Sequence, residues 1–392
     1  MSRHLLTPLL ALSVVFAWGC EGLGASGAAP TTHTYYIAAD EVVWDYAPTD
    51  MNRIKRAPFG EAEAAWAVPG PLRVGKVYKK ALYREYTDET FTTLKPRAPE
   101  WEHLGLLGPL LRAEVGDTIV VVYRNNAPFP SSLHPHGVFY NKDSEGAPYY
   151  DETADPERAD DGVPPGGTHT YVWPVPERAG PAEGDPSSVF WMYHSHTDEI
   201  ADVNAGLIGP MIITGRGRSR PDGTPDDVDR EIVIAFAEMM ENESHYIRHN
   251  LDTYAGDASG LTLIQDPFAL MLLVGEGGFA DYNFMETLNG FIYGNLPSVE
   301  MRVGERVRWY LMASTNFEFH APHWHGNVVV AERMRTDVAG LLPMGMLVAD
   351  MVPDNPGIWL FHCHVSAHLR AGMESVYRVL PAGSDIGGSS GG

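Results

Sequence analysis

Cysteine is nearly absent. Two occur in 392 residues, Cys20 and Cys363, so once the amino terminus is processed no structural disulfide framework can be built. Basic residues are also scarce: 28 Lys and Arg stand against 51 Asp and Glu, a net charge of −23. A surface of that sign repels phosphate backbones, which argues against nucleic acid as a partner and suits cations. Long apolar runs are missing beyond Leu5 to Trp18, and that run is too short to span a bilayer. Long stretches of helical periodicity are missing too. What the chain does have is 44% hydrophobic and 20% charged residues, enough for a sizeable core and incompatible with whole-chain disorder.

Arg3 and His4 ahead of the apolar run read as a secretory signal. The ending Ala17-Trp18-Gly19-Cys20 leaves two readings open. One is a bacterial lipoprotein cleavage site, with Cys20 lipidated and the protein attached to a membrane. The other is an ordinary signal peptide cut between Ala25 and Ala29. Both export the chain, to a periplasm, to an outer surface as a lipoprotein, or as a secreted protein.

The 40 Gly and 30 Pro residues punctuate short apolar runs. Tyr35 to Ile37, Thr118 to Tyr123, Met211 to Thr214, Glu231 to Phe236, Val307 to Met312 and Val376 to Leu380 predict β-strands. The pattern is that of an all-β sandwich or barrel protein, not α/β. Residues 216–229, rich in Gly, Pro, Asp and Arg, have linker composition. They divide the chain into a signal segment at 1–29, a domain at 30–215, a second domain at 230–382 and a flexible tail at 383–392.

The two domains repeat one another. Val115-Gly116-Asp117 leads into a strand and then His134-Pro135-His136-Gly137; Val303-Gly304-Glu305 leads into a strand and then His323-Trp324-His325-Gly326. Further on, His194-Ser195-His196 precedes Gly206 as His362-Cys363-His364 precedes Gly372. Matching order and similar spacing predict two copies of one sandwich.

Six of the sixteen histidines fall within 320–325 and 362–368. On a strand, His-x-His turns both imidazoles to one face, because side chains alternate with period two. Four such pairs can converge eight imidazoles where two sandwiches face each other. Cys363 lies between His362 and His364 and so points to the opposite face. Thiolate, two imidazoles and a weak thioether form the ligand set of a blue-copper electron-transfer site. His320, Cys363, His368 and Met373 supply that set, and the sulfur ligands select copper over magnesium, calcium or zinc.

With these motifs in view, the chain resembles the multicopper oxidases, and within them ceruloplasmin and hephaestin. The likeness runs through Tyr35 to Pro48, Tyr78 to Asp88, Glu102 to Pro109, His134 to Gly146, His194 to Pro210 and Gly357 to Leu380. The resemblance implies two cupredoxin-like Greek-key domains and four copper ions per chain. The type 1 copper would be held by His320, Cys363, His368 and Met373, and the type 2 copper by His134 and His323. The type 3 pair would take His136, His194 and His364 on one ion and His196, His325 and His362 on the other. Cys363, with His362 and His364 bonded on either side, would carry electrons from type 1 copper to the cluster. A reducing substrate is then oxidised one electron at a time, and dioxygen is reduced by four electrons to water. In ceruloplasmin six such domains close a ring, so two domains per chain imply a homotrimer with each cluster at a subunit boundary.

Within the repeat, Ser131, Ser195 and Ile200 fall where His320, Cys363 and His368 fall in the second copy. An oxygen and an aliphatic group cannot replace thiolate and imidazole, so the first domain is expected to lack a type 1 copper. That speaks against a copper nitrite reductase. Retention of every cluster ligand speaks against a non-catalytic copper-binding protein or interaction scaffold. Asp143 and Glu145 are candidate proton donors, or a polar turn. Glu157, Asp160 and Asp161 resemble the family's calcium loop, and clustered oxygens suit calcium; the alternative is a solvated acidic loop.

The reductant is left open between a ferrous or cuprous ion and a laccase-like organic donor, a phenol or amine. Aligned on Asn289-Gly290, two positions of the family's iron site fall at Asp281 and Glu286, while a third, an aspartate, falls at Ala367. Two carboxylates on an acidic background would attract a cation. The apolar position beside His368 would suit a phenol, and Met344 and Met346 are soft groups for cuprous ion or simply packing.

Overall fold

The computed structural model describes residues 29–70, 73–256, 283–297, 299–314 and 318–386. Each expected strand is present within a longer one. Thr118–Asn125 shows why: Ile119, Val121, Tyr123 and Asn125 point inward and the alternate residues outward, the period of a half-buried strand. Helices are short, the longest described being Ile247–Tyr254.

Four main sheets make two sandwiches. In the first, Val77–Tyr86, Thr32–Asp45, Thr118–Asn125 and Thr168–Pro174 are hydrogen-bonded in that order. They face a sheet of Leu111–Glu114, Ile208–Thr214, Ser188–His194 and His134–Pro135. The second repeats the plan. Its six-stranded sheet has Phe284–Leu288, Arg230–Met240, Val307–Ala313, Met346–Met351, Val329–Ala331 and Met334–Thr336. Opposite lie Val299–Arg302, Glu374–Leu380, Gly357–Cys363 and Pro322–Trp324. In both, the first long strand pairs parallel with the strand that follows the Gly-Asp or Gly-Glu turn, so the two strands are joined by a crossover and not by a hairpin.

Each sandwich has its own core, and a third core is shared. Leu82, Phe190, Met192 and Ile212 of the first sandwich pack there on Val233, Ala235, Tyr310 and Met312 of the second. This explains why Arg230–Met240 is buried almost throughout rather than on alternate residues. Arg308, 2% exposed, crosses the same junction to Ser187 and Ser188 and pairs with Asp227 and with Asp350 on the neighbouring strand of its own sheet. Lys80 and Glu241 form a fully buried ion pair there, to which the Tyr46 hydroxyl also donates. The junction therefore holds the two sandwiches in one fixed relation.

Candidate metal centres

The second sandwich positions its histidines by strand pairing. Pro322–Trp324 runs antiparallel to Gly357–Cys363 with His323 directly opposite His362, so their rings share a face, 5.3 Å apart. His325 and His364, two residues further along, complete the group. Nε2 of His325 lies 3.1 Å from Nε2 of His362. Nδ1 of His323 lies 2.8 Å from the carbonyl of Asp337, which leaves its Nε2 for another partner.

The first sandwich repeats this arrangement. His134 is opposite His194, Nε2 of His136 lies 3.1 Å from Nε2 of His194, and Nδ1 of His134 lies 2.7 Å from the carbonyl of Glu145. His196 completes the set. Desolvation lowers the pKa of His136 to about 4, that of His194 well below its ordinary value, and those of His134, His325 and His362 less far. Neutral imidazoles are the form that binds metal.

The eight imidazoles do not converge within one chain. Among the described residues they form two groups of four, and no ring contact or hydrogen bond joins a member of one group to a member of the other.

Cys363 turns away from its neighbours into the core. Its Sγ lies 3.5 Å from Nδ1 of His368 and 3.8 Å from Nδ1 of His320, and those two nitrogens are 3.2 Å apart. All three residues are buried and could hold one metal ion. Met373 is fully buried in the same core, and its carbonyl accepts the Cys363 N–H at 3.1 Å. Burial pushes the Cys363 thiol up to about 11, with Glu286 and Glu238 adding to the shift. Desolvation takes His320 down to about 3. Two imidazoles and a sulfur meeting in a buried pocket fit the blue-copper donor set.

Carboxylates crowd the far side of the same imidazoles. Nε2 of His368 lies 2.8 Å from Glu318, 3.7 Å from Glu238 and 3.9 Å from Glu286, and Nε2 of His320 lies 3.5 Å from Glu238. Glu238 and Glu286 are buried, whereas the Glu318 side chain is 51% exposed. Burial, then repulsion from Glu238 and Glu318, lifts Glu286 to about 9. Of the two expected acids, Glu286 stands 3.9 Å from Nε2 of His368, and Asp281 lies outside the described residues. Glu238 and Glu318 were missed by the sequence reading. Of the two carboxylates in the apolar strand Arg230–Met240, Glu231 pairs with Arg112, so Glu238 within the apolar run is the visible anomaly, and Glu318 stands two residues before His320.

Other expectations fare unevenly. Ile200 is not the counterpart of His368. Gly206 follows Ser195 by eleven positions and Gly372 follows Cys363 by nine, so counting forward misplaces the match by two. Ile200 is exposed, and Asp202 takes the inward position. Asp143 is exposed, while the Glu145 carboxylate is engaged by Lys142 and Tyr149. Met344 and Met346 pack on the shared core. Glu157, Asp160 and Asp161 do not come together as three ligands. Glu157 instead accepts from the N–H of Ala154 at the start of its own turn. Oδ1 of Asp160 is buried without a hydrogen-bond partner among the described residues. Burial and the charge of Asp160 raise Asp161 to about 6.

Comparison with known proteins agrees with this geometry. Residues 104–218 and 269–383 match two family profiles, each described as multicopper oxidase. Ferroxidase HEPHL1 of Homo sapiens is 43% identical over 369 residues, covering 93% of this chain and 31% of that protein. Ceruloplasmin of Rattus norvegicus is 36% identical over 380 residues, covering 97% of this chain and 33% of that protein. The chain thus spans about a third of the length of these relatives. Among solved structures, the multicopper oxidase mgLAC superposes with a TM-score of 0.56 at 16% identity, covering 92% of this chain and 89% of that one, which bears on the fold alone. With its two cupredoxin-like sandwiches and both family profiles in register with the histidine motifs, the chain belongs to the multicopper oxidase family.

Proposed function

We propose that the protein is an exported oxidase that couples one-electron oxidation of a metal ion, ferrous or cuprous, to reduction of dioxygen to water. The observation that carries this reading is the joining of two sites through His368. Its Nδ1 faces Cys363 and His320, and its Nε2 faces Glu318, Glu238 and Glu286. Copper, when bound, supplies the one-electron and dioxygen chemistry. His320, Cys363, His368 and Met373 would hold the type 1 ion. Glu238, Glu286 and Glu318 would bind the metal-ion substrate through oxygen ligands, which suit ferrous ion better than soft cuprous ion, with half-exposed Glu318 at the entrance. Cys363 is bonded on both sides to cluster histidines, so a short covalent path runs from its sulfur to His362 and His364.

The separation of the imidazoles into two groups supports a homotrimer closed head to tail, in which each cluster is completed by a neighbour. His134 would share the type 2 ion with the partner's His323. His136 and His194 would bind one type 3 ion with the partner's His364. His196 would bind the other with the partner's His325 and the partner's His362. The 3.1 Å approach within His136–His194 and within His325–His362 suits this division. We also infer domain limits of 30–215 and 230–382 about the 216–229 linker. The amino-terminal signal, with Cys20 as a lipid anchor or as part of a cleaved peptide, lies outside the described residues. No described helix is long and apolar enough to cross a membrane. A calcium ion would be held by Asp160 and Asp161 rather than Glu157, its charge compensating the buried Asp160 oxygen.

A laccase-like reading has its own support: Ala367 is exposed beside His368, and Phe319 and Leu342 expose apolar surface next to Glu318 and Leu341. Catalytic efficiency with ferrous ion, cuprous ion and a phenol, in wild type and in Glu238→Gln with Glu286→Gln, separates the two. We expect metal-ion oxidation to fall at least about tenfold with phenol oxidation retained. Unchanged iron oxidation leaves the organic donor, and absence of dioxygen uptake with every donor removes the oxidase.

A further inference from the structure

In the first sandwich, the place of a type 1 copper is filled by a buried hydrogen-bond network. The correspondence is residue by residue. The N–H of Ser132 donates to Ser195 Oγ at 2.9 Å, as that of Ala321 donates to Cys363 Sγ at 3.4 Å. Ser195 N–H reaches the carbonyl of Leu207 as Cys363 N–H reaches that of Met373. The N–H groups of Gly206 and Leu207 close on the carbonyl of Asp202 as those of Gly372 and Met373 close on that of His368. Both glycines sit in the left-handed region, at φ 117° and 109°. Ser131, Ser195, Asp202 and Leu207 therefore replace His320, Cys363, His368 and Met373.

Asp202 makes the contacts a metal would otherwise make. It is fully buried, and its Oδ2 accepts from Ser195 Oγ at 2.6 Å and from the N–H of Asp198 at 2.9 Å. Its Oδ1 lies 2.8 Å from Nε2 of His245, a residue of the second sandwich that stacks on Phe129. Ser195 separates His194 from His196. Ser132, whose N–H is bound to Ser195, immediately precedes the segment carrying His134, and its own Oγ accepts from the N–H of His196 at 3.0 Å. One carboxylate thus fixes, through two serines, the backbone from which three imidazoles project.

We propose that Asp202 is a positioning residue for the copper cluster, holding the histidines of the first sandwich where bound type 1 copper would hold those of the second. Groups that orient metal ligands without touching the metal commonly govern affinity by tenfold or more. A buried network does so only when every member is satisfied. The proposal rests on the multicopper reading and adds a residue outside the ligand set.

The test uses the copper-loaded full chain. The blue thiolate band reports the second sandwich; the type 2 electron paramagnetic resonance signal and the copper-to-protein ratio report the cluster. In Asp202→Ala the blue band should persist, while cluster copper is lost to a chelator at about tenfold lower chelator concentration. Asp202→Asn, whose amide oxygen still accepts from Ser195, should recover most of it. If Asp202→Ala fails to accumulate, Ser195→Ala removes the same tie and carries the same expectation. Unchanged cluster copper and type 2 signal would overturn the proposal, as would parallel loss of the blue band and cluster copper, which marks a general folding defect. A wild-type protein without cluster copper would overturn the multicopper reading itself.

Discussion

Cys363 and His368 meet through Sγ and Nδ1 at 3.5 Å, inside a core that contains no other thiol. Burial holds that thiol protonated up to about pH 11, whereas copper binds the thiolate. Loading the apo-protein at pH 7 should therefore release close to one proton per chain from this residue. Titration calorimetry in buffers of differing ionisation enthalpy measures it. Cys363→Ser should lose that proton and the blue band while keeping cluster copper. An intense blue band in the variant would show that the thiolate lies elsewhere.

Glu286 gives the proposed substrate site a pH dependence. Its carboxyl is raised to about 9, first by burial and then by Glu238 and Glu318, so near neutrality the proton and a cation compete for it. Raising the pH from 6 to 8 weakens that competition, although below about 9 the carboxyl still holds its proton until the cation displaces it. The KM for ferrous ion should fall by up to about tenfold per unit, because binding displaces one proton. Glu286→Gln should flatten that profile. A wild-type KM independent of pH would mean that Glu286 does not face the cation.

Much of the copper chemistry could be read from the chain, because His-x-His on a strand fixes the facing of both rings and the second copy of the motif repeats it. Cys363 could be placed by the same alternation. The acids could not be placed this way. Glu238 reaches His368 across the sandwich, from a strand more than a hundred residues earlier in the chain. Asp202 was obscured by two extra residues ahead of Gly206, which shift any count made from Ser195. The grouping of the imidazoles depends on the fixed junction between sandwiches, built by Arg308 and a shared core whose contacts leave no local pattern.

His103 should make stability depend on acid. Buried at 6% exposure, it accepts from the N–H of Val233 through Nε2, and Nδ1 donates to the carbonyl of Glu100. Desolvation lowers it to about 4, so the unfolded chain binds a proton that the folded chain refuses. The neutral ring's contribution is complete above pH 6.5 and is lost as the pH falls through 4, a term on the order of 3 kcal/mol. His103→Gln keeps a donor and an acceptor but cannot titrate. Urea denaturation from pH 4 to 7 should show a shallower loss of stability in this variant than in wild type. Equal slopes would place the titration in other histidines.

The shared cluster predicts complementation between two inactive chains. His134→Ala with His136→Ala destroys the first group of imidazoles and leaves the second whole; His323→Ala with His325→Ala does the reverse. If each cluster spans a boundary between chains, either variant alone lacks every cluster. A mixed trimer, however, brings the intact second group of one chain against the intact first group of the other. Co-expression with different affinity tags, followed by tandem purification, should recover a type 2 copper signal and dioxygen uptake that neither variant has. Light scattering should give three chain masses for the active species. An active wild-type monomer would require both groups to act within one chain, contrary to their separation, and silence in the mixed trimer would leave the boundary site without support.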